Sequence, residues 1–208
     1  MSETRLPPDD LIRVRVKAEL RKRLRGLRMT MPADACAKRS ALIVERVSSH
    51  ASVAGAKSIA LFWPIVEKHE VDLRPLDDAL RARGVAVAYP GIDPETRLMT
   101  FRFARPDGLE ERGFGFREPA SSAREATRGE LDVILVPAIA LDPTGHRIGY
   151  GAGHYDRALK LLRANGPIRA VGVAYAISEI DVAPDEPHDE RLDFILTERE
   201  WIDARGRG

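Results

Sequence analysis

The chain has 208 residues, of which 44% are hydrophobic and 31% charged, and its formal net charge is +1. This composition is typical of a globular domain and excludes an intrinsically disordered chain. The balanced charge gives no overall field toward polyanions, so we expect small-molecule partners, no nucleic acid and no membrane. A single cysteine, Cys36, excludes a disulfide framework, and no secretory signal is evident, so we expect a cytoplasmic protein.

The first predicted element is a strongly basic helix near the N-terminus. Apolar residues recur there at helical spacing, which predicts an amphipathic helix; they are Ile12, Val16, Leu20, Leu24 and Leu27. Four cations with the same spacing form a second stripe: Arg13, Lys17, Arg21 and Arg25. Two interpretations stay open for this stripe, a solvated charged face or a site for a polyanion such as phosphates or nucleic acid.

The rest of the chain alternates between strand-like and helix-like patterns. Predicted strands cover 58–63, 85–89, 98–103, 131–137, 168–175 and 193–197. Predicted helices cover 34–52, 73–83 and 155–163, and 105–129 reads as a long irregular connection. The alternation favours an α/β fold with a mostly parallel sheet flanked by helices on both faces, a Rossmann-like three-layer arrangement. We expect one domain over 1–208.

The segment after the predicted strand 131–137 carries the strongest chemical signal. Ligands of open α/β sheets bind beyond the carboxyl ends of strands. Here Gly149, Gly151 and Gly153 alternate with other residues just before a helix. Such glycines let backbone N–H groups approach an anion, which the helix N-terminus also favours. Arg147 adds a bidentate cation for phosphate oxygens. The spacing matches neither a P-loop nor a dinucleotide fingerprint.

Two carboxylates accompany this glycine-rich segment. Asp156 lies in the first turn of the following helix, and Asp189 lies in a loop before the last predicted strand. Magnesium near phosphates is held by one or two protein oxygens, so the pair predicts a Mg²⁺ site. For Asp156 alone, a helix-capping role is an equally good interpretation.

A third group follows the first predicted strand. Trp63 stands at the strand end and Glu70 in the loop beyond it. An aromatic wall and a carboxylate suit a planar heterocycle with adjacent N–H donors. The alternative is a core tryptophan with a solvated acid.

Together these residues resemble the 5-formyltetrahydrofolate cyclo-ligase family over nearly the whole chain. The most specific segments are DVILVPAIALDPTGHRIGYGAGHYDRAL, at 132–159, and EPHDERLD, at 186–193. The resemblance implies Mg-ATP-dependent closure of 5-formyltetrahydrofolate to 5,10-methenyltetrahydrofolate, with release of ADP and phosphate. The formyl oxygen would be phosphorylated and N10 would then attack. A monomer is expected.

The resemblance also implies roles for individual residues. Lys17, Arg147 and Tyr155 would be catalytic, Asp156 and Asp189 would hold Mg²⁺, and Trp63, Glu70 and the stretch Tyr150 to His154 would bind the folate. The residues implied in ATP binding are Lys17, Arg21, Arg147, Ile148, Gly149, Tyr150, Gly151, Ala152, Gly153, His154 and Tyr155. Ala152 and His154 depart from the residues that are more frequent in the family at these positions.

Two other functions remain open from the residues themselves. A non-catalytic nucleotide- or RNA-binding module on the same fold would use the basic helix as its docking surface. A sugar-phosphate or CoA-handling enzyme would also want an anion-binding loop but would not need Mg-ATP.

Overall fold

The computed structural model describes residues 8–112, 116–127 and 129–207. The helices in this part of the chain are α1 (Pro8–Met29), α2 (Ala33–Ser49), α3 (Ala51–Ala54), α4 (Arg74–Ala82) and α5 (His154–Arg163). The strands are β1 (Ser58–Ala60), β2 (Ala86–Ile92), β3 (Met99–Phe103), β4 (Leu109–Glu111), β5 (Arg117–Pro119), β6 (Val133–Pro137), β7 (Ala140–Leu141), β8 (Arg147–Ile148), β9 (Arg169–Val173), β10 (Phe194–Leu196) and β11 (Trp201–Asp203).

Seven of these strands form one sheet, in the order β11-β10-β9-β6-β1-β2-β3. The five inner strands are parallel, and the two edge strands, β3 and β11, run antiparallel to their neighbours. The inner strands are short runs of buried residues, as parallel strands covered on both faces require. The predicted α/β fold with a mostly parallel sheet is confirmed.

Helices cover both faces of the sheet. Successive residues of a strand point to opposite faces, and in β6 Val133 and Leu135 join one core while Ile134 and Val136 join another. The first core includes side chains of α2, α3 and α4, and the second includes side chains of α5. The predicted three-layer, single-domain arrangement is therefore confirmed.

Helix α1 lies apart from both layers and contacts β8 and the turns at 66–68 and 176–178. The predicted apolar face of this helix is buried only in part: Leu24 is buried and Leu20 packs in the same cluster, whereas Ile12, Val16 and Leu27 are 59%, 42% and 38% exposed. The side chains of α1 that are buried are Lys17, Leu24 and Arg28. The helix packs on loops at the carboxyl edge of the sheet. Because the polar groups of these loops need hydrogen-bonding partners, the cationic face of the helix points inward.

Three short pairings escaped the sequence patterns. The hairpins β4–β5 and β7–β8 and the edge strand β11 have two or three residues per strand. Strands this short carry no readable periodicity. The first hairpin lies within the predicted irregular connection, of which 113–115 and 128 fall outside the described residues. No helix of the described ranges is both long and apolar enough to span a bilayer.

Candidate active site

Lys17 connects α1 to the loop that precedes β10. Its Nζ donates to Glu186 Oε2 at 2.6 Å and to Asp189 Oδ2 at 2.5 Å, and its side chain is 3% exposed. Asp189 Oδ2 also accepts from the backbone N–H of Glu186 at 2.8 Å, which closes the loop on itself. A buried lysine is stable as an ion only with such partners. One face of α1 therefore places a fixed positive charge at the carboxyl edge of the sheet.

Arg21, one turn further along α1, lies over the glycine-rich loop. Its Nε donates to the carbonyl oxygen of Gly149 at 2.9 Å. Gly151 has φ +99°, and a Cβ at that position would lie 3.5 Å from Arg21 Cζ. Gly153 has φ +64° and precedes α5 with no side-chain cap. The loop thus has backbone angles that favour glycine, and the first N–H groups of α5 are not capped by a side chain.

Arg147 and Asp156 flank the glycine-rich loop in the sequence and form an ion pair. Arg147 Nη2 donates to Asp156 Oδ1 at 2.5 Å, and its Nη1 donates to the carbonyl oxygen of Glu190 at 2.6 Å. The same Asp156 oxygen accepts the backbone N–H of Glu190 at 3.1 Å. Arg147, predicted to bind phosphate, and Asp156, predicted to bind the metal, are therefore paired with each other. Both also hydrogen-bond to the backbone of Glu190, in the loop that carries Asp189.

Carboxylates suited to a metal ion gather in the same loop. Ligand atoms of Glu186, His188 and Asp189 lie within 4.8 Å of one another, and Asp156 is not in this group. Carboxylate oxygens are the donors that Mg²⁺ prefers, and Lys17 already shows that Glu186 and Asp189 converge on one cation. The carboxylates of Glu186 and Asp189 fit magnesium, and the group that the structure brings together contains Glu186 in place of the predicted partner Asp156.

A second polar group lies toward the other end of α1. Tyr150 donates its hydroxyl to Glu70 Oε1 and accepts from Arg28 Nη2 at 2.8 Å. Glu70 is 8% exposed, and its Oε2 accepts the backbone N–H of Ile65 at 2.8 Å. Lys68 Nζ lies 5.1 Å from the centre of the Tyr150 ring. Burial, and then the negative charge of Glu70, raise the pKa of Tyr150 above its ordinary value.

Trp63 is half-buried and packs edge-on against Tyr89, with ring centres 6.1 Å apart. The guanidinium groups of Arg74 and Arg117 lie 5.9 and 5.7 Å from its ring. Ile65, two residues further along the chain, donates its backbone N–H to Glu70, which is the link that the structure gives between Trp63 and the group around Tyr150. The alternative of a core tryptophan is met in part, because one side of the ring packs against the core.

Two residues at the start of α5 complete the predicted set. His154 Nδ1 lies 3.1 Å from Arg157 Nη2, and burial, followed by the Arg157 charge, lowers the pKa of His154. Tyr155 packs its ring near Phe101, at 6.5 Å between centres. Burial raises the pKa of Tyr155, which makes its hydroxyl a poor source of a phenolate.

Sequence reasoning missed Arg28, Glu186 and Glu190. Arg28 follows Lys17 by eleven residues, which is three helical turns with an offset of about 20°, so both lie on one face. That spacing was available as a signal and was hidden by the many other basic residues of the helix. The two acids had no signal, because loop backbone and carboxylate positions depend on the tertiary contacts.

The model of the 5-formyltetrahydrofolate cyclo-ligase family matches residues 13–198. The chain belongs to this family. A 5-formyltetrahydrofolate cyclo-ligase of Haemophilus influenzae is 31% identical over 144 residues, which are 68% of this chain and 75% of that protein. One of Mycolicibacterium smegmatis is 43% identical over 101 residues, and this alignment spans about half of each protein, 48% and 51%.

A solved structure supports the same assignment. The 5,10-methenyltetrahydrofolate synthetase of Aquifex aeolicus superposes with a TM-score of 0.79 at 28% identity, over 91% of this chain and 93% of that one. The predicted family, its ligase class and its place in folate one-carbon metabolism are confirmed, and the chain is an enzyme of an ATP-dependent cyclo-ligase family.

Proposed function

We propose that this cyclo-ligase closes 5-formyltetrahydrofolate to 5,10-methenyltetrahydrofolate at the carboxyl edge of its sheet, using Mg-ATP. The observation that carries the proposal is the orientation of α1, which points Lys17 and Arg21 at the loops around residues 189 and 149. A helix that buries cations at a ligand-binding sheet edge matches a polyanionic substrate better than a structural role.

The nucleotide phosphates would bind between α1 and the loop 147–155. Lys17 and Arg21 supply positive charge from one side, and the N–H groups of the glycine loop and of the start of α5 supply dipoles from the other. Arg147 keeps Asp156 and the 186–190 loop in position. Tyr155 packs under the loop in the second core and supports it from below.

Magnesium would be held by Asp189 and Asp156, with Glu186 as a further oxygen donor. The ion supplies charge neutralisation on the phosphates when it is bound. Lys17 contacts the same oxygens of Glu186 and Asp189, so ATP binding is expected to draw the lysine toward the phosphates. The residues of this chain fix where the phosphates and the carboxylates meet.

The folate would lie on the Glu70 side of the glycine loop. Glu70 and Tyr150 are joined by a hydrogen bond, and the loop 150–154 is shared with the nucleotide side. A carboxylate suits the adjacent amino and amide N–H groups of a pterin ring. Trp63 offers an aromatic surface at the rim. In this arrangement the formyl group would lie between the pterin side and the phosphate side.

The reaction needs positioning and charge neutralisation more than a nucleophilic side chain. The formyl oxygen attacks the γ-phosphorus of ATP, the bond to the β-phosphate breaks and ADP leaves. N10 then attacks the activated formyl carbon and loses its proton, while the carbon–oxygen bond breaks and phosphate leaves. Lys17 and Arg21 serve both steps by stabilising negative phosphate oxygens.

The alternative of an RNA-binding module is less well supported. Lys17 is buried and Arg21 contacts the glycine loop, so two of the four cations of the predicted stripe are engaged inside the chain, while Arg13 and Arg25 are exposed. We also propose that the chain acts as a monomer, as one domain over 1–208, on small molecules in the cytoplasm. Its nearly balanced charge and single cysteine support this proposal.

A direct assay tests the function. Purified protein is mixed with (6S)-5-formyltetrahydrofolate, ATP and Mg²⁺, and the absorbance of the methenyl product is followed. We expect the absorbance to increase only when all three are present. Asp156→Ala should lose most of this activity, and Asp78→Ala, whose side chain is exposed on α4, should keep it. If the folded wild-type protein binds ATP but gives no increase in absorbance, 5-formyltetrahydrofolate is not the acceptor, while the proposed nucleotide site still stands.

A further inference from the structure

Arg28 is a buried cation that lacks an ionic partner. Its side chain is 5% exposed, its Nη2 donates to the neutral hydroxyl of Tyr150, and its Nε is buried without any partner. Within the described parts of the chain it forms no ion pair with a carboxylate. An arginine cannot lose its proton, so burial of its charge without an acceptor costs free energy. The position makes sense if an external acceptor completes it.

The cavity beside Arg28 lies where a substrate is expected. It is lined by Arg28, Glu70, Phe62, Pro137, Val173 and Ser178, among others. Pro137 and Val173 end β6 and β9, so the cavity opens at the carboxyl edge of the parallel strands. Its volume is about 10 Å³, close to the least space that one water molecule needs. A space of this size fits a single ligand atom and is too small for a ring.

Arg28 and Glu70 present opposite polarities from neighbouring positions. Both contact the hydroxyl of Tyr150, Arg28 as a donor and Glu70 as an acceptor. The pterin ring of the proposed substrate carries an amino group, a ring N–H and a C4 carbonyl oxygen in a row, which are two donors followed by an acceptor. A carboxylate matches the two donors, and a guanidinium beside it matches the oxygen.

We infer that Arg28 is a substrate-binding residue that donates to the C4 carbonyl oxygen of the pterin, next to the N–H groups held by Glu70. The inference rests on the proposed function and adds to it the group that reads the oxo substituent. The phosphates are too distant to be this acceptor, because Lys17 and Arg21 precede Arg28 by about 16 and 10 Å along the helix axis. C4 oxygen does not react, so Arg28 acts on binding and orientation.

Direct binding measurements test this without ATP. Calorimetry compares wild type and Arg28→Met with two ligands, 5-formyltetrahydrofolate and its analogue with an amino group in place of the C4 oxygen. We expect Arg28→Met to lose about ten- to a hundredfold in affinity for the first ligand, as for a charged hydrogen bond. Affinity for the 4-amino analogue should change by less than about threefold. The thermodynamic cycle measures the coupling between Arg28 and the C4 edge of the ring, where the analogue has an amino donor in place of the oxygen and lacks the adjacent ring N–H.

Controls separate the possible failures. Arg23→Met, on the exposed side of the same helix, should bind both ligands like wild type. Arg28→Lys keeps the charge and guards against misfolding of Arg28→Met, and it should show an intermediate loss. In turnover, KM should rise with little change in kcat. Equal losses for both ligands, or none, would overturn the role of Arg28. Wild type that binds neither ligand would overturn the proposed function itself, and the inference with it.

Discussion

Two groups in this molecule each combine an arginine, a tyrosine and a buried carboxylate, but they differ in how fully their hydrogen-bonding atoms have partners. In the first, between α4 and β2, Arg81 donates to both oxygens of Asp77 and to the carbonyl oxygen of Ala104. Tyr89 donates to Asp77 Oδ2 at 2.7 Å. Asp77 is fully buried, and its two oxygens accept three hydrogen bonds from Arg81 and Tyr89 inside the chain.

The second group, Arg28 with Tyr150 and Glu70, is left open. Its arginine and its carboxylate do not pair with each other but meet on the tyrosine hydroxyl. Arg28 Nε has no partner. The difference indicates what each group is for. A closed network stabilises the fold, whereas an open one keeps donors and acceptors for a ligand at a cost in stability.

Breaking the closed network should have the largest effect. We expect Asp77→Ala to lower the free energy of unfolding by about 3 kcal/mol, because it leaves Arg81 and the Tyr89 hydroxyl without their shared acceptor. Urea denaturation measures this change. Tyr89→Phe removes one hydrogen bond and should cost about 1 kcal/mol, and Asp78→Ala should cost almost nothing. A stability of Asp77→Ala equal to wild type would contradict a structural role.

Removing cations from the proposed phosphate site should raise the activation barrier by an amount similar to this loss in unfolding free energy. Lys17→Ala and Arg147→Ala should each lower kcat by about a hundredfold or more, which is about 2.7 kcal/mol of barrier, because Lys17 supports charge on the transferring phosphate and Arg147 holds Asp156 and the 186–190 loop in position. The methenyl absorbance assay checks this, with circular dichroism to confirm folding. Lys22→Ala, exposed on α1, is the matched control. Near-normal turnover in both site variants would refute the phosphate site.

Removing the arginine of the second group should change the free energy of unfolding little. Arg28→Met should shift the free energy of unfolding by less than about 1 kcal/mol, because one hydrogen bond is lost while the burial of an unpaired charge is relieved. The contrast with Asp77→Ala is measured in the same urea titrations. A loss near 3 kcal/mol would place Arg28 with the structural networks instead.

The smallest expected effect is a pH dependence away from both groups. His50 Nδ1 accepts the backbone N–H of Ser52 at 3.1 Å, and the ring stacks on Trp201 at 3.8 Å. Burial lowers the pKa of His50 below 6.5 in the folded protein. The unfolded chain therefore takes up the proton first, and this contribution to stability, complete above pH 6.5, declines as the pH falls below it.

A variant isolates that contribution. His50→Asn keeps a capping side chain and does not titrate, so its stability should fall less than that of wild type between about pH 7.5 and about pH 5.5. The difference should be below about 1 kcal/mol, the scale of one helix cap. Urea midpoints at the two pH values measure it. Parallel changes in both proteins would show that His50 contributes nothing to the pH dependence.

Much of the fold was predictable because its signals are local. The runs around Val133–Pro137 and Arg169–Val173 are aliphatic and short, which is typical of inner parallel strands. The glycine loop was predictable for the same reason, since its backbone conformation is encoded by the glycines themselves, as the positive φ of Gly151 and Gly153 shows. The roles assigned to single residues stay predictions until they are tested.

The sequence by itself determined the layer order, the parallel sheet and the place of the glycine loop, because hydrophobic periodicity and glycine act over a few residues. Only the tertiary structure decided which face of α1 turns inward. Its apolar stripe predicted a buried face that includes Ile12 and Val16, yet both are exposed, and Lys17 is buried together with Leu24. The reason is physical, because the surface on which a helix packs determines which of its faces is buried. Here that surface is the loop that carries Glu186 and Asp189, which lie 169 and 172 residues from Lys17 in the sequence.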